Sequence, residues 1–299
     1  MNYVDINSIS ELHEYMGFPP PVHPLITVID FSKVDRSKRR PGVLYFRLAL
    51  YAASCKVFKG MMMYGRSAYD FSEGSLMFTA PHQPFAPDPE NPANEGWGLF
   101  IHPDFLASSE RGQKLTTLSF FGYDTHEGLH VSDQEKKTLE GCLRNIEKEI
   151  ALNLDQHSYN LVLSNLELFF AYCTRYYDRQ FLTRMHVSND AVNKFEQLLN
   201  AWFAQDALSE AGLPHVKYFA EQLHLSPNYL SDLLNKYTGK TTQEHIHLKL
   251  TEKAKALLWG TEKTVSEIAY SLGFEHPSHF AKLFKSRTGM SPTEFRSQN

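Results

Sequence analysis

One pattern occurs twice in the C-terminal region of the chain. An apolar set at helical spacing returns 49 positions later, so that Val216, Ala220, Leu223 and Leu225 reappear as Val265, Ala269, Leu272 and Phe274. A second set returns 50 positions later, so that Leu230, Leu233, Leu234 and Thr238-Gly239 reappear as Phe280, Leu283, Phe284 and Thr288-Gly289. Insertions within a repeat fall in its loops, so the one-residue slip places a turn between two helices. The repeat therefore predicts a duplicated helix-turn-helix.

Single residues in each copy indicate where the second helix begins and where the two helices cross. Pro227 and Pro277 stand where the second helix is expected to begin, and proline is favoured there because its missing N–H group has no helical partner. Ala220 and Ala269 lie at the centre of the first helix, where a small side chain lets the second helix cross closely. We predict helix-turn-helix units over about 216–237 and 265–287, joined by a linker helix over about 242–259.

The side chains left outside the expected helix cores are small, polar or basic. In the first copy they are Asn228, Ser231, Asp232, Asn235 and Lys236. In the second copy they are His276, Ser278, Ala281, Lys282 and Lys285. Such side chains on the first turns of a helix suit contact with base edges in a major groove. A solvated helix face is the alternative interpretation.

A resemblance to a known family rests on these same residues. The run IAYSLGFEHPSHFAKLFK at 268–285, continued by RTGMSP at 287–292, resembles the second helix-turn-helix signature of the AraC/XylS family of bacterial transcription regulators. Residues 226–231 resemble the first signature and residues 252–258 the linker helix. The resemblance implies a sequence-specific transcription factor whose partner is double-stranded DNA, with two recognition helices in successive major grooves. Asp232 departs from the family pattern, which often has a basic residue there.

The N-terminal half has sequence patterns that are typical of β-structure. The alternation over 44–51 predicts a half-buried strand. Residues 64–70, 74–76 and 81–83 resemble, more loosely, a cupin-like sensor domain, which implies a β-barrel that binds a small-molecule effector. Candidate effector-binding residues are Tyr45, Arg47, Tyr51, Tyr64 and His82, although these side chains could equally face water. We expect an irregular arm over 1–30, rich in proline, and the sensor domain over 31–130.

Two helices are predicted over 131–187, between the sensor and a DNA-binding domain over 188–299. Ser132 and Glu135 have the spacing of a capping box. The second helix has apolar residues on two faces: Leu163, Leu166, Phe170, Cys173 and Tyr177 form one, and Leu161, Leu168, Tyr172 and Tyr176 the other. We interpret the second face as a homodimer contact, and internal packing between domains is the alternative. The predicted fold class is α+β multidomain, with a cupin-like barrel, a helical hairpin and an all-α double helix-turn-helix domain.

Composition and charge limit the class of protein. The chain is 42% hydrophobic and 21% charged, as in an ordinary globular protein, and no apolar run has the ~18 residues of a membrane span. Cys55, Cys142 and Cys173 have neither metal-binding nor disulfide spacing, so we expect buried thiols and a cytoplasmic location. From Ser188 onward there are 12 Lys and Arg and 12 Asp and Glu. DNA affinity must therefore come from local patches such as Lys282, Lys285 and Arg287.

One segment of the chain matches an enzyme motif, but the structure predicted around it does not suit the catalytic chemistry of that motif. His126-Glu127-Gly128-Leu129-His130 matches the HExxH string of zinc proteases, but the surrounding glycines predict a loop instead of the helix that this chemistry needs. We therefore predict no catalytic residue, metal or cofactor. Two alternatives stay open: a cupin-type metal enzyme with a recruiting DNA-binding module, and a ligand-independent regulator whose barrel only dimerises. RNA polymerase is an expected partner if the protein is an activator.

Overall fold

The computed structural model describes residues 3–35, 45–56, 61–64, 67–70, 74–85, 95–124, 127–152, 155–183, 185–204 and 212–298. The chain divides into two compact units, Met1–Thr183 and Arg184–Asn299. The first unit combines strands with helices, and the described residues of the second are helical. The domain boundary predicted at residue 188 lies inside the first helix of the second unit, Met185–Ala204.

The first unit opens with regular structure. Strand β1 (Tyr3–Ile6), helix α1 (Ile9–Met16) and strand β2 (Ile26–Asp30) follow one another, so the prediction of an irregular arm over 1–30 was wrong. Ser8 caps α1 by accepting a hydrogen bond from the Glu11 N–H at 3.1 Å, and the Ile9 and Leu12 side chains are buried. The prolines that suggested an arm all lie between α1 and β2, where they interrupt no hydrogen-bonded element.

The remaining strands form three sheets together with β1 and β2. They are β3 (Tyr45–Leu48), β4 (Tyr51–Lys56), β5 (Met61–Tyr64), β6 (Ser67–Asp70), β7 (Ser75–Thr79), β8 (Pro84–Phe85), β9 (Gly96–Ile101) and β10 (Leu129–His130). The strand orders are β10-β7-β4-β9-β2, β1-β3-β8 and β5-β6. Across the described residues these sheets stay separate and do not close into a barrel. The run 44–51 was expected to be one strand, but its described part, 45–51, bends after Leu48 and divides between two sheets.

Four helices of the first unit lie in its described residues beyond α1: α2 (Pro103–Ala107), α3 (Glu110–Leu115), α4 (Asp133–Ile150) and α5 (Ser158–Thr183). The predicted capping box is confirmed, because the Ser132 N–H donates to Glu135 Oε2 at 2.9 Å and Ser132 Oγ accepts from the Glu135 N–H at 3.3 Å. The first predicted apolar face of α5 is buried: Leu163, Leu166, Phe170, Cys173 and Tyr177. Burying each large apolar side chain of this kind contributes about 1.5–3 kcal/mol.

The three cysteines are free and buried, as the sequence predicted. Burial raises the pKa of the Cys55 thiol to about 12 and also raises the pKa values of Cys142 and Cys173. Because the thiolate is the reactive form of cysteine, these side chains behave as small hydrophobic residues at neutral pH.

The second unit contains α6 (Met185–Ala204), α7 (Val216–Leu223), α8 (Pro227–Thr238), α9 (Thr242–Gly260), α10 (Val265–Ser271), α11 (Pro277–Thr288) and α12 (Pro292–Arg296). A single buried cluster joins α6, both helix-turn-helix units and the linker helix α9. Helix α9 contributes side chains at four-residue spacing: Ile246, Leu250, Ala254 and Leu258. This spacing keeps one face of α9 in the core along three turns.

The two turns of the repeat have the same backbone geometry. His224 and Gly273 occupy the left-handed region, with φ of 55° and 87°. In each turn the next residue donates to the repeated alanine: the Leu225 N–H to the Ala220 carbonyl at 2.9 Å, and the Phe274 N–H to the Ala269 carbonyl at 3.0 Å. The copies therefore match through Leu225 and Phe274, and the extra residue lies just before the second helix. The predicted slip in the turn is confirmed.

Gly273→Ala is expected to destabilise the second unit by about 2–3 kcal/mol, because a side chain at positive φ is strained. A Cβ there would also lie 2.7 Å from the carbonyl carbon of Gly212. Chemical denaturation followed by circular dichroism measures the change. Gly239→Ala is the control, because Gly239 also has positive φ, at 72°, but open space around the new Cβ. It should cost only about 1 kcal/mol, and equal losses would contradict the role of the Gly212 contact.

Candidate nucleic-acid interface

The predicted DNA-contacting residues form one stripe on each second helix. On α8 the stripe is Asn228, Ser231, Asp232 and Asn235, and on α11 it is Ser278, Ala281, Lys282 and Lys285, each 50 positions later. Residues three, four and seven positions apart share one face of a helix. Ser231, Asp232 and Ala281 are half-buried, and the other stripe residues, Ser278 among them, are exposed. The structure thus places these eight residues on matching outward faces.

Two further predicted residues lie beside the stripes. Lys236 is on the last turn of α8. His276 is exposed and is the N-cap of α11, where it makes no side-chain hydrogen bond to the described residues of the first turn. In α8 the corresponding N-cap is Ser226, whose Oγ accepts from the Tyr229 N–H at 3.2 Å. The first turn of α11 therefore keeps backbone N–H groups of the kind that phosphate binds.

The repeated Thr-Gly pair ends each recognition helix. The hydroxyls of Thr238 and Thr288 donate to the carbonyls of Leu234 and Phe284, both at 2.8 Å. The following glycines have φ of 72° and 82°, the left-handed conformation that commonly ends a helix. This part of the repeat therefore contributes to the fold by ending the two helices.

The linker helix α9 is hydrogen-bonded to both recognition helices. The Ser231 hydroxyl donates to Thr242 Oγ1 at 3.1 Å, and His245 Nε2 lies 2.8 Å from Thr238 Oγ1. On the other side, Arg287 Nη2 lies 3.0 Å from His247 Nδ1. Burial lowers the pKa values of both histidines. These two histidines therefore face different helix-turn-helix units. The hydroxyl of Ser231, a predicted base-contacting residue, donates its hydrogen bond within the domain.

Three of the five candidate effector residues lie on or beside the small sheet β1-β3-β8. Arg47 forms a two-bond ion pair with Asp5, with Nε–Oδ1 at 2.7 Å and Nη2–Oδ2 at 2.8 Å. Its guanidinium carbon lies 4.6 Å from the centroid of the Tyr3 ring, which is 5.6 Å from that of Tyr45. The hydrogen bonds from Arg47 lower the pKa of Asp5, and the nearby His82 lowers it further.

Of the other two candidates, only Tyr51 has a described side chain, and it packs elsewhere. Tyr51 lies on β4, and its ring centroid is 5.0 Å from that of Phe121. Tyr64 belongs to β5, but its side chain is outside the described residues. Sequence reasoning missed Asp5, the partner of Arg47. No local signal could have found it, because the two residues are 42 positions apart and meet only through the parallel pairing of β1 with β3.

The HExxH segment does not form a helix in its described residues. Glu127 lies in a short turn, Leu129 and His130 form β10, and His126 is outside the described residues. His130 Nδ1 lies 3.0 Å from Ser75 Oγ. In the described part of the chain, no three His, Cys, Asp or Glu side chains are placed to hold a metal ion. None of the helices in the described ranges combines the length and the hydrophobicity that a bilayer span requires.

Comparison with known proteins supports the assignment of the C-terminal region. Residues 219–298 match a family model described as a helix-turn-helix domain. The chain is 38% identical over 79 residues to the uncharacterized HTH-type transcriptional regulator YijO of Escherichia coli (strain K12). The aligned region covers 26% of this chain and 28% of that protein. The chain is 32% identical over 135 residues to the HTH-type transcriptional activator RhaS of Salmonella schwarzengrund (strain CVM19633), which covers 45% of this chain and 46% of that protein.

Among solved structures, the C-terminal domain of the two-component response regulator yesN from Fusobacterium nucleatum has 32% sequence identity and a TM-score of 0.30. The alignment covers 34% of this chain and 96% of that one. The chain spans less than half the length of either curated relative. Its C-terminal unit is a double helix-turn-helix domain. The resemblance of this domain to the AraC/XylS family, predicted from the sequence, is confirmed.

Acid is expected to destabilise the second unit through its capping glutamates. Hydrogen bonds from the backbone N–H groups of the N-cap residues lower the pKa values of Glu244, Glu267 and Glu294 below 4.5. The folded state therefore binds fewer protons than the unfolded state, and the stability gained above pH 4.5 is lost as the pH falls through the lower, folded pKa values. Denaturation midpoints across this range measure the loss.

The triple variant Glu244→Gln, Glu267→Gln and Glu294→Gln is the control for the acid effect. Glutamine can still close a capping box but does not titrate. The variant should lose less stability than the wild type between neutral pH and the acid range. An identical pH dependence in both proteins would assign the acid effect to other groups.

Proposed function

We propose that this protein is a sequence-specific DNA-binding regulator of bacterial transcription. The supporting observation is the pair of matching stripes on α8 and α11, held on one core by the linker helix α9. Two recognition helices on one module suit adjacent major grooves on one side of a duplex, about 10 base pairs apart. The relatives named above are HTH-type regulators, which supports the same proposal for this chain.

Local positive charge supplies the attraction to DNA in this proposal. The C-terminal domain is neutral as a whole, but Lys282, Lys285 and Arg287 lie on one recognition helix. Each phosphate that such a side chain neutralises releases counterions, so the affinity falls as salt rises. We expect modest, salt-sensitive binding that a dimer strengthens.

Selection of DNA from random duplexes tests the proposed function. The full chain is incubated with the pool across a series of salt concentrations, and the retained DNA is sequenced. We expect an enriched motif with two half-sites about 10 base pairs apart. Retention without any enriched sequence, or no retention at low salt, would contradict sequence-specific recognition.

Lys282→Ala is expected to weaken binding to the selected motif by about 1–3 kcal/mol if Lys282 contacts a base. Titration of the motif and of a scrambled duplex, read by fluorescence anisotropy, separates the two kinds of contact. Lys249→Ala is the matched control, because Lys249 lies on the linker helix α9 and belongs to neither stripe. An equal loss on both duplexes would reassign Lys282 to phosphate.

For the first unit we propose effector sensing, within a cupin-like architecture. Tyr45, Arg47 and His82 are the residues whose grouping supports a binding surface there, together with Asp5. A small molecule or partner that binds one arrangement of this unit better would shift the population of DNA-binding states. Because one relative is named a transcriptional activator, we also propose contact with RNA polymerase.

We propose that the exposed face of α5 forms a homodimer contact. Leu161, Leu168 and Leu182 are 49%, 47% and 53% exposed, and their positions repeat at multiples of seven residues, as in a coiled coil. Tyr176, which the sequence placed on the same face, is buried, and its ring stacks on Tyr172 at 5.9 Å between centroids. The proposed contact therefore consists of the leucines, with Tyr172 at its side.

The double variant Leu161→Glu and Leu168→Glu is expected to convert a dimer into a monomer, because paired faces would bury uncompensated charge. Light scattering coupled to size-exclusion chromatography measures the mass. Leu152→Glu is the control, since Leu152 is 64% exposed but follows the end of α4 and lies outside the face. The same mass for all variants and the wild type would exclude this face as the dimer contact.

A further inference from the structure

The two recognition helices differ in charge at equivalent positions. Asp232 and Asn235 on α8 stand where α11 has Lys282 and Lys285, each 50 positions later. The stripe on α8 therefore has a formal charge of −1, and the stripe on α11 has +2. An acidic residue is unexpected on a surface that faces a polyanion, because phosphate repels it.

The remainder of the two helices is closely matched. Both begin at proline, both have twelve residues, and both end at a left-handed glycine. Their inward residues belong to the same buried cluster, including Leu230 and Leu234 in one and Phe280 and Phe284 in the other. The difference in net charge comes from the outward stripes, because the other charged residues, Lys236 of α8 and Arg287 of α11, contribute one positive charge each.

Base edges limit what a carboxylate can meet in a major groove. The hydrogen-bond donors there are the exocyclic amino groups of cytosine and adenine. Adenine presents the N7 acceptor beside its amino group, and this acceptor repels a carboxylate, whereas cytosine presents the amino donor alone. An aspartate on the second turn of a recognition helix therefore favours cytosine.

We infer that the two helices contribute differently to DNA binding, one to affinity and the other to base specificity, and this inference rests on the proposed function. Helix α11 supplies the attraction to the phosphate backbone through the positive charge of Lys282 and Lys285, whether or not Lys282 also reaches a base. Helix α8 contributes little attraction and discriminates between bases, with Asp232 selecting a cytosine by accepting a hydrogen bond from its N4 amino group. The internal hydrogen bond between Ser231 and Thr242, at 3.1 Å, ties the turn of α8 that contains Asp232 to the linker helix.

Asp232→Asn tests the specificity because it keeps the shape of the side chain and removes its charge. The full-length wild type should enrich a motif whose half-site for α8 prefers cytosine at one position by about 5- to 150-fold over other bases. In the variant this preference should disappear, and adenine should be favoured at the same position, since asparagine pairs with adenine N6 and N7. Circular dichroism confirms that both proteins fold alike.

Exchange of charges between the stripes tests whether α11 supplies the attraction to phosphate. Lys282→Asp with Lys285→Asn gives α11 the residues of α8. This double variant should reduce the slope of log affinity against log salt by up to about 1.8, or ~0.9 for each phosphate that is no longer neutralised. Asp232→Lys with Asn235→Lys should increase the slope by a similar amount. Unchanged slopes in both double variants would overturn the inference that α11 supplies the phosphate attraction.

The selection separates failure of this inference from failure of the proposed function. A wild-type protein that enriches no motif would refute sequence-specific DNA binding itself. A wild-type protein that enriches a motif, with a variant Asp232→Asn that leaves every base frequency unchanged and binds all duplexes more tightly, would show that Asp232 only repels phosphate. That result would overturn the assignment of Asp232 to cytosine.

Discussion

The buried face of the linker helix α9 is the interaction on which the C-terminal unit depends. Ile246, Leu250, Ala254 and Leu258 lie in the same core as residues from both helix-turn-helix units. Neither unit has enough apolar surface of its own to form a stable core, since each contributes only two short helices. Because both pack on one helix, the separation of the recognition helices is fixed by the length of α9 and not by a flexible linker.

Hydrogen bonds from α9 to each of the two recognition helices orient these helices, in addition to the apolar packing. His245 contacts the end of α8 through Thr238, and His247 contacts Arg287 of α11. Since the two histidines are two positions apart on the linker helix, their side chains diverge, and each fixes a different recognition helix. Under the proposed function, a module built in this way presents two surfaces to DNA in a constant relation, so that the spacing of two half-sites becomes part of what it recognises.

Local patterns in the sequence predicted the helices well and the long-range pairing poorly. The capping box at Ser132, the proline starts of α8 and α11 and the one-residue slip all depend on residues within one or two turns of each other. By contrast, Asp5 and Arg47 meet across the parallel pairing of β1 and β3, which no short-range periodicity encodes. The positions of Tyr45 and Tyr51 in different sheets depend on a bend that alternation alone does not reveal.

The duplication explains where information about the partner resides. Residues that pack on α9 or end a helix have nearly the same chemistry in both copies, as with Ala220 and Ala269 or the Thr-Gly pairs, because both copies must fit one core. The outward stripes have no such constraint from packing, and there Asp232 of one copy corresponds to Lys282 of the other. The shared features therefore report the fold, and under the proposed function the differences between the copies report what each helix contacts.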